Sequence, residues 1–159
     1  MDDATTVAPL GDQSSLPGEI ALHEFVHEVG VRGDALLGGR LSVLLPAPGA
    51  IVRGDSERLM EALVSLLSTA AVCGDGLVEL RVLRERDGWR FEVQSEAGAL
   101  AWGEDEADFD LHRARPDQSV RALALALLRD VAEAHGGSAG VDGRPGEGAT
   151  HWLRLPKQL

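Results

Sequence analysis

DSERLMEALVSLLSTAAVC, residues 55–73, is the stretch from which the rest of the chain is read. Asp55 follows Gly54 and can accept a hydrogen bond from the first free amides of a helix. Glu57 places negative charge in the first turn, where the helix dipole favours it. Leu59, Leu63, Leu66, Leu67 and Ala70 recur at helical spacing and predict one apolar face. A second stripe runs through Glu61, Ser65, Thr69 and Val72, polar at its start and apolar at its end. A surface helix would carry Lys, Arg or Glu along such a stripe. This one therefore either borders a cleft or belongs to a half-buried helix of a two-layer domain.

Outward from that helix, the pattern upstream begins with a polar segment, 1–18, punctuated by Pro9, Gly11, Pro17 and Gly18, which predicts a flexible lead. A first helix is predicted over 19–29, with Ile20, Phe25, Val26 and Val29 inward. His23 and His27 lie four apart on it, a spacing that suits a metal or a phosphorylatable imidazole; with no third ligand nearby, a structural role is the simpler reading. The glycines of 30–39 predict a turn region, with at most a short helical turn at 35–37. Strands are predicted over 40–45 and 50–53.

Downstream, Gly74, Asp75 and Gly76 end the helix. Residues 77–84 and 89–94 alternate as strands about the hairpin signal Asp87-Gly88, with Val78, Leu80 and Val82 on one face of the first and Trp89, Phe91 and Val93 on one face of the second. Over 95–118 the pattern lapses into a long connection with an acidic cluster, Glu104, Asp105, Glu106, Asp108 and Asp110. Its spacing fits no calcium-loop pattern, so a solvated loop is expected and no metal. SVRALALALLRDVAEAH, 119–135, predicts a second long helix capped by Ser119 and closed by Gly136-Gly137. Two strands, 138–141 and 150–155, flank a glycine-rich loop.

The chain has 159 residues, 44% hydrophobic and 26% charged, enough for a domain with a real core. Residues 19–159 are expected to form it. The formal net charge of −11 argues against nucleic acid and anionic membranes as partners, since phosphate would be repelled. The single cysteine, Cys73, allows no internal disulfide, suits a reducing cytoplasmic setting and is expected to be a small core residue. No apolar run reaches the length of a membrane span. Three helices covering one face of a mixed sheet would give a two-layer α/β sandwich (an α+β arrangement).

That order, with its local patterns, resembles the ATP-binding domain of bacterial sensor histidine kinases, in the GHKL (Bergerat-type) superfamily. LALLRDVAEAHGGSAGV followed by GEGATHWLRLP is similar to the family's last long helix, its Ala-His-Gly-Gly end, its final hairpin and its closing Leu-Pro. GDSERLMEALVSLLSTAA is similar to its N-box helix. The resemblance implies a nucleotide cleft, and the same comparison shows where this chain departs from it. The family's two N-box asparagines, the second of which holds Mg²⁺, fall on Ser65 and Thr69, and the lysine that often follows falls on Val72. Its Asp-x-Gly-x-Gly turn, whose aspartate binds adenine, falls on Ser95, Ala97 and Ala99. Its glycine-rich phosphate motif falls on Val120, Ala122 and Ala124. Glu61 keeps a polar type, Gly146 and Gly148 remain glycine, and Thr150 follows them.

Alanine's Cβ hinders both close phosphate approach and positive φ, so VRALALA is expected to wind into helix. Serine and threonine hydroxyls are poorer Mg²⁺ ligands than an amide carbonyl. The residues therefore point to a pseudo-ATPase, with no cofactor, acting as an interaction module for a bacterial signalling protein: a response regulator, a kinase or another regulator. Two alternatives remain open. One is a divergent Mg-ATP-dependent kinase resembling anti-sigma-factor serine kinases, with Glu61 as base and Gly146 and Gly148 on the phosphates. The other is a histidine-phosphotransfer-like adaptor using His23 or His27.

Overall fold

A computed structural model of the chain describes residues 18–96, 116–143 and 148–156. The elements are β1 (Gly18–Ala21), α1 (Leu22–Leu37), β2 (Leu41–Leu44), β3 (Ile51–Gly54), α2 (Ser56–Cys73), β4 (Val78–Glu85), β5 (Gly88–Ser95), α3 (Pro116–Ala134), β6 (Ser138–Gly143) and β7 (Ala149–Pro156). Five strands form a mixed sheet in the order β2-β4-β5-β7-β6, with β2 parallel to β4 and the other pairs antiparallel. β1 and β3 pair antiparallel as a separate ribbon. The inward residues of the sheet and the apolar faces of all three helices share one core, which includes Leu22, Val26, Leu59, Leu63, Leu67, Leu80, Phe91, Leu128 and Leu153. The fold is the expected two-layer α/β sandwich. Within the described residues no helix is long and apolar enough to cross a membrane.

The first helix starts and ends later than its sequence predicts. Residues 18–21 are extended because β3 supplies a ladder for them: Gly18 pairs with Gly54 and Ile20 with Val52. Helical spacing cannot reveal such a partner from a distance in sequence. The predicted turn region is instead the second half of α1. Gly30 and Gly33 lie on its buried face with Val26, Val29 and Leu37. A Cβ on Gly33 would sit 2.5 Å from Leu67 Cδ1 and 2.9 Å from Leu41 Cδ2. These glycines let α1 press against α2 and β2 rather than breaking the helix. The break comes at Gly38, at φ 60°, whose amide donates to Asp34 O at 2.9 Å.

α2 follows its prediction. Asp55 accepts from the Arg58 amide at 3.1 Å, and Leu59, Leu63, Leu66, Leu67 and Ala70 are all buried. At its far end the Arg40 guanidinium donates to the carbonyls of Gly74 and Gly76, at 3.2 and 2.8 Å, which holds the exit of the helix against the start of β2. The side chain of Cys73 lies outside the described residues.

α3 begins at Pro116, a turn earlier than the cap expected at Ser119. It ends in a Schellman motif: the Gly136 amide donates to Glu133 O and the Gly137 amide to Ala132 O. Gly136 supplies the left-handed φ of 78°. A Cβ on Gly137 would run into the carbonyl oxygen of Arg154 on β7. The two glycines therefore do different work, one turning the chain and the other letting it lie against the sheet.

Candidate functional site

His135 joins the helices around the candidate cleft. Its Nε2 accepts from the Asp55 amide at 2.8 Å, so the ring proton resides on Nδ1 and is donated to Val131 O at 2.7 Å. The C-terminus of α3 is thereby bonded to the N-terminus of α2. The ring fills the space beside Gly54, where a Cβ would lie 2.8 Å from it.

On α2, the stripe singled out from the sequence passes from solvent to interior and back. Glu61 is exposed, Ser65 half-buried, Thr69 buried at 2% and Val72 69% exposed. The Thr69 hydroxyl donates to Ser65 O at 2.9 Å. That bond back to the preceding turn engages the hydroxyl within the helix. Ser95 is the last residue of β5 and is buried; its hydroxyl sits 3.5 Å from Ala149 O, a weak bond across the β5–β7 ladder. Thr69 and Ser95 are thus turned toward backbone within the protein, while Glu61 and Ser65 border an open groove. Ala97, Ala99 and Gly146 lie outside the described residues, as does the acidic cluster of the long connection.

Gly148 is buried and has φ 83°, a left-handed turn into β7. Thr150 lies on the sheet face away from the helices, opposite Gln94 and Asp142, because Leu153 and Leu155 fix which residues of β7 point inward. It does not share a side with Ser95. The inward residues there are Ala149 and His151, neither of which the sequence marks as a site residue. Counting back in twos from Leu155 and Leu153 finds both.

His151 is 3% exposed. Burial, and then the positive charge of Arg121 on α3, lowers its pKa from 6.5 to about 3. At neutral pH it is an uncharged imidazole between sheet and helix, suited to packing and hydrogen bonding rather than to proton transfer. On the opposite face Glu92 is buried under Arg81 and Arg90, at 2.7 and 2.6 Å, and Arg90 stacks 4.9 Å above the Trp152 ring. Burial opposes ionisation of Glu92, but the hydrogen bonds and charges of Arg90 and Arg81 outweigh it and hold its pKa below the ordinary value.

The residues VRALA, 120–124, are inside α3, as the alanines predict, so their amides lie within the helical ladder. Ala124 is buried at 2%. Among the described residues no group of three or more His, Cys, Asp or Glu side chains is placed to hold a metal. His23 donates from Nδ1 to Pro46 O at 3.0 Å, while His27 is exposed four residues on.

No family model matches the chain. It is 33% identical over 116 residues to the circadian input-output histidine kinase CikA of Synechococcus elongatus, a match covering 68% of this chain and 15% of that protein. It is 31% identical over 127 residues to the sensor protein DivL of Caulobacter vibrioides, covering 78% of this chain and 16% of DivL. The chain thus spans about a sixth of these relatives' length. Among solved structures, the ATP binding domain of PrrB from Mycobacterium tuberculosis superposes with a TM-score of 0.68 at 24% identity, covering 90% of this chain and 98% of that one. A nucleotide-free catalytic domain of the histidine kinase ThkA superposes with a TM-score of 0.71 at 19% identity, covering 89% and 96%. With the same three helices on the same five-stranded sheet, and with relatives aligned over most of its length, the chain belongs to the ATP-binding domains of sensor histidine kinases.

Proposed function

We propose that the chain is a histidine-kinase-type ATP-binding domain that no longer binds nucleotide and serves as a protein-interaction module in two-component signalling, with a response regulator, a kinase or another regulator as partner. The observation that carries this reading is the helical course of 120–124. A phosphate cradle needs amides that are free of intrahelical partners and a backbone that can be closely approached. Helix supplies neither at these positions, and the Cβ atoms of Ala122 and Ala124 crowd the approach. The closed hydroxyls of Thr69 and Ser95 support the same reading, since a metal or adenine would have to displace bonds already made.

Isothermal titration with ATP, ADP and a non-hydrolysable analogue, with and without Mg²⁺, tests the proposal. No heat at millimolar nucleotide is expected, together with an unchanged melting temperature. Binding at micromolar affinity would overturn it and move the chain to the Mg-ATP-dependent kinase reading, with Glu61 as the base.

A further inference from the structure

Between α1 and α2, on the outer side of the helical layer, runs a groove of about 790 Å³. Phe25, Met60 and Val64 form its apolar floor, and Glu24 and Glu28 on α1 face Glu57 and Glu61 on α2 across it. Each rim therefore carries two carboxylates four residues apart, about one helical turn or ~5.4 Å along the axis. Among the described residues Arg32 is the only basic one lining the groove, and it is held by Glu28 at 2.9 Å. Glu24, Glu57 and Glu61 have no ion-pair partner among the described residues. Like charges four residues apart on one helix repel each other, and here both rims carry such a pair.

From this charge pattern we infer that the α1–α2 groove is a docking site for a basic amphipathic helix of a partner protein, with apolar side chains on Phe25, Met60 and Val64 and Lys or Arg on both flanks against the two carboxylate rails. Two periodic acidic rims around an apolar floor match the i, i+4 cations of such a helix and the i, i+3, i+4 apolar stripe between them. The chain's own segments 1–17 and 97–115 lack the basic composition the site asks for. Residues 1–17 contain Asp2, Asp3 and Asp12 and no base, and 97–115 contain five acids against Arg113 and Arg115. A second copy is disfavoured by the net charge of −11 on each. The floor and three of the four acids lie outside the α2 stripe of Glu61, Ser65, Thr69 and Val72, and of that stripe only Glu61 and Ser65 line the groove.

The test uses the full chain, ¹⁵N-labelled, and a synthetic 15-residue Lys/Leu peptide of amphipathic helical pattern. A peptide of the same composition in scrambled order and a Glu/Leu counterpart serve as controls. The patterned peptide is expected to shift amide resonances along 24–32 and 56–65. Glu24→Gln with Glu57→Gln is expected to weaken it roughly tenfold, at a factor of a few for each exposed pair. Asp75→Asn with Asp87→Asn, which removes the same charge elsewhere, should leave affinity unchanged. Equal binding of the scrambled peptide, shifts spread over the whole acidic surface, equal weakening by both double variants, preference for the Glu/Leu peptide, or no binding of the Lys/Leu peptide would each overturn the inference. Nucleotide binding measured on the same sample leaves these outcomes separate from the fate of the pseudo-ATPase reading.

Discussion

Replacing His135 by alanine removes two hydrogen bonds at the joint between α3 and α2 and leaves the Asp55 amide without its acceptor. Asp55 is only 9% exposed, so water does not readily replace the ring. Stranding a buried donor costs about 1–3 kcal/mol, and the second bond adds about 1 kcal/mol. A loss near 3 kcal/mol is expected, or a fall in melting temperature of about 6–12 °C for a chain of this size. Gly54→Ala attacks the same joint from the other side. Its Cβ would sit 2.8 Å from the His135 ring, and forcing the ring aside costs about 1–3 kcal/mol. In the double variant there is no ring to displace, so the Gly54 substitution becomes nearly neutral. The double-mutant cycle, measured by urea unfolding, should show a coupling of about 1–2 kcal/mol, well beyond the ~0.5 kcal/mol within which independent sites add. Additivity within that margin, or a His135→Ala variant as stable as the parent, would refute the joint.

Gly33→Ala should cost about 1–3 kcal/mol in urea unfolding, because its methyl meets Leu67 and Leu41 in a packed interior; an unchanged midpoint would contradict the close approach of α1. His151 has a folded pKa of about 3 against 6.5 when unfolded, so its contribution is fully present above pH 6.5 and is lost as pH falls toward 3, by up to about 1.4 kcal/mol per pH unit. His151→Leu should flatten that dependence in unfolding curves taken across the interval, and an unchanged slope would place the proton uptake elsewhere. Glu92→Gln should destabilise by about 1–3 kcal/mol at neutral pH by weakening charge-assisted bonds to Arg90 and Arg81. Since the folded pKa of Glu92 is depressed, this advantage is present above the ordinary carboxylate range and disappears as pH falls through the lowered value, a convergence visible in acid unfolding of the two proteins.

The long helices, the two hairpins and the inward faces of β4 and β5 were legible because their signals are local: a capping aspartate, a 3.6-residue apolar period, a two-residue alternation. What escaped the sequence depended on neighbours. Gly30 and Gly33 resemble helix breakers until Leu67 and Leu41 are seen where their side chains would be. Gly18–Ala21 becomes a strand only through β3. The sequence marks Ser65, Thr69 and Ser95 as candidates by residue type alone and says nothing of their orientation. Whether a hydroxyl faces a cleft or its own backbone is decided by burial. The side on which Thr150 emerges is decided by the parity of a strand whose start the sequence placed one residue late.

The strand order has a consequence for how the chain can be divided. β2, β4 and β5 come from residues before the long connection and β6 and β7 from residues after it, so the sheet is two sequence-contiguous halves sewn by one seam, the eight pairs from Gly88↔Pro156 to Ser95↔Ala149. α2 against α3 and the His135–Asp55 bond form a second line of stitching above it. Both lines join residues far apart in sequence, while each half contains its own hairpin. A backbone cut within 97–115 would leave intact every strand pair among the described residues, and the two pieces would carry complementary edges by which to find one another.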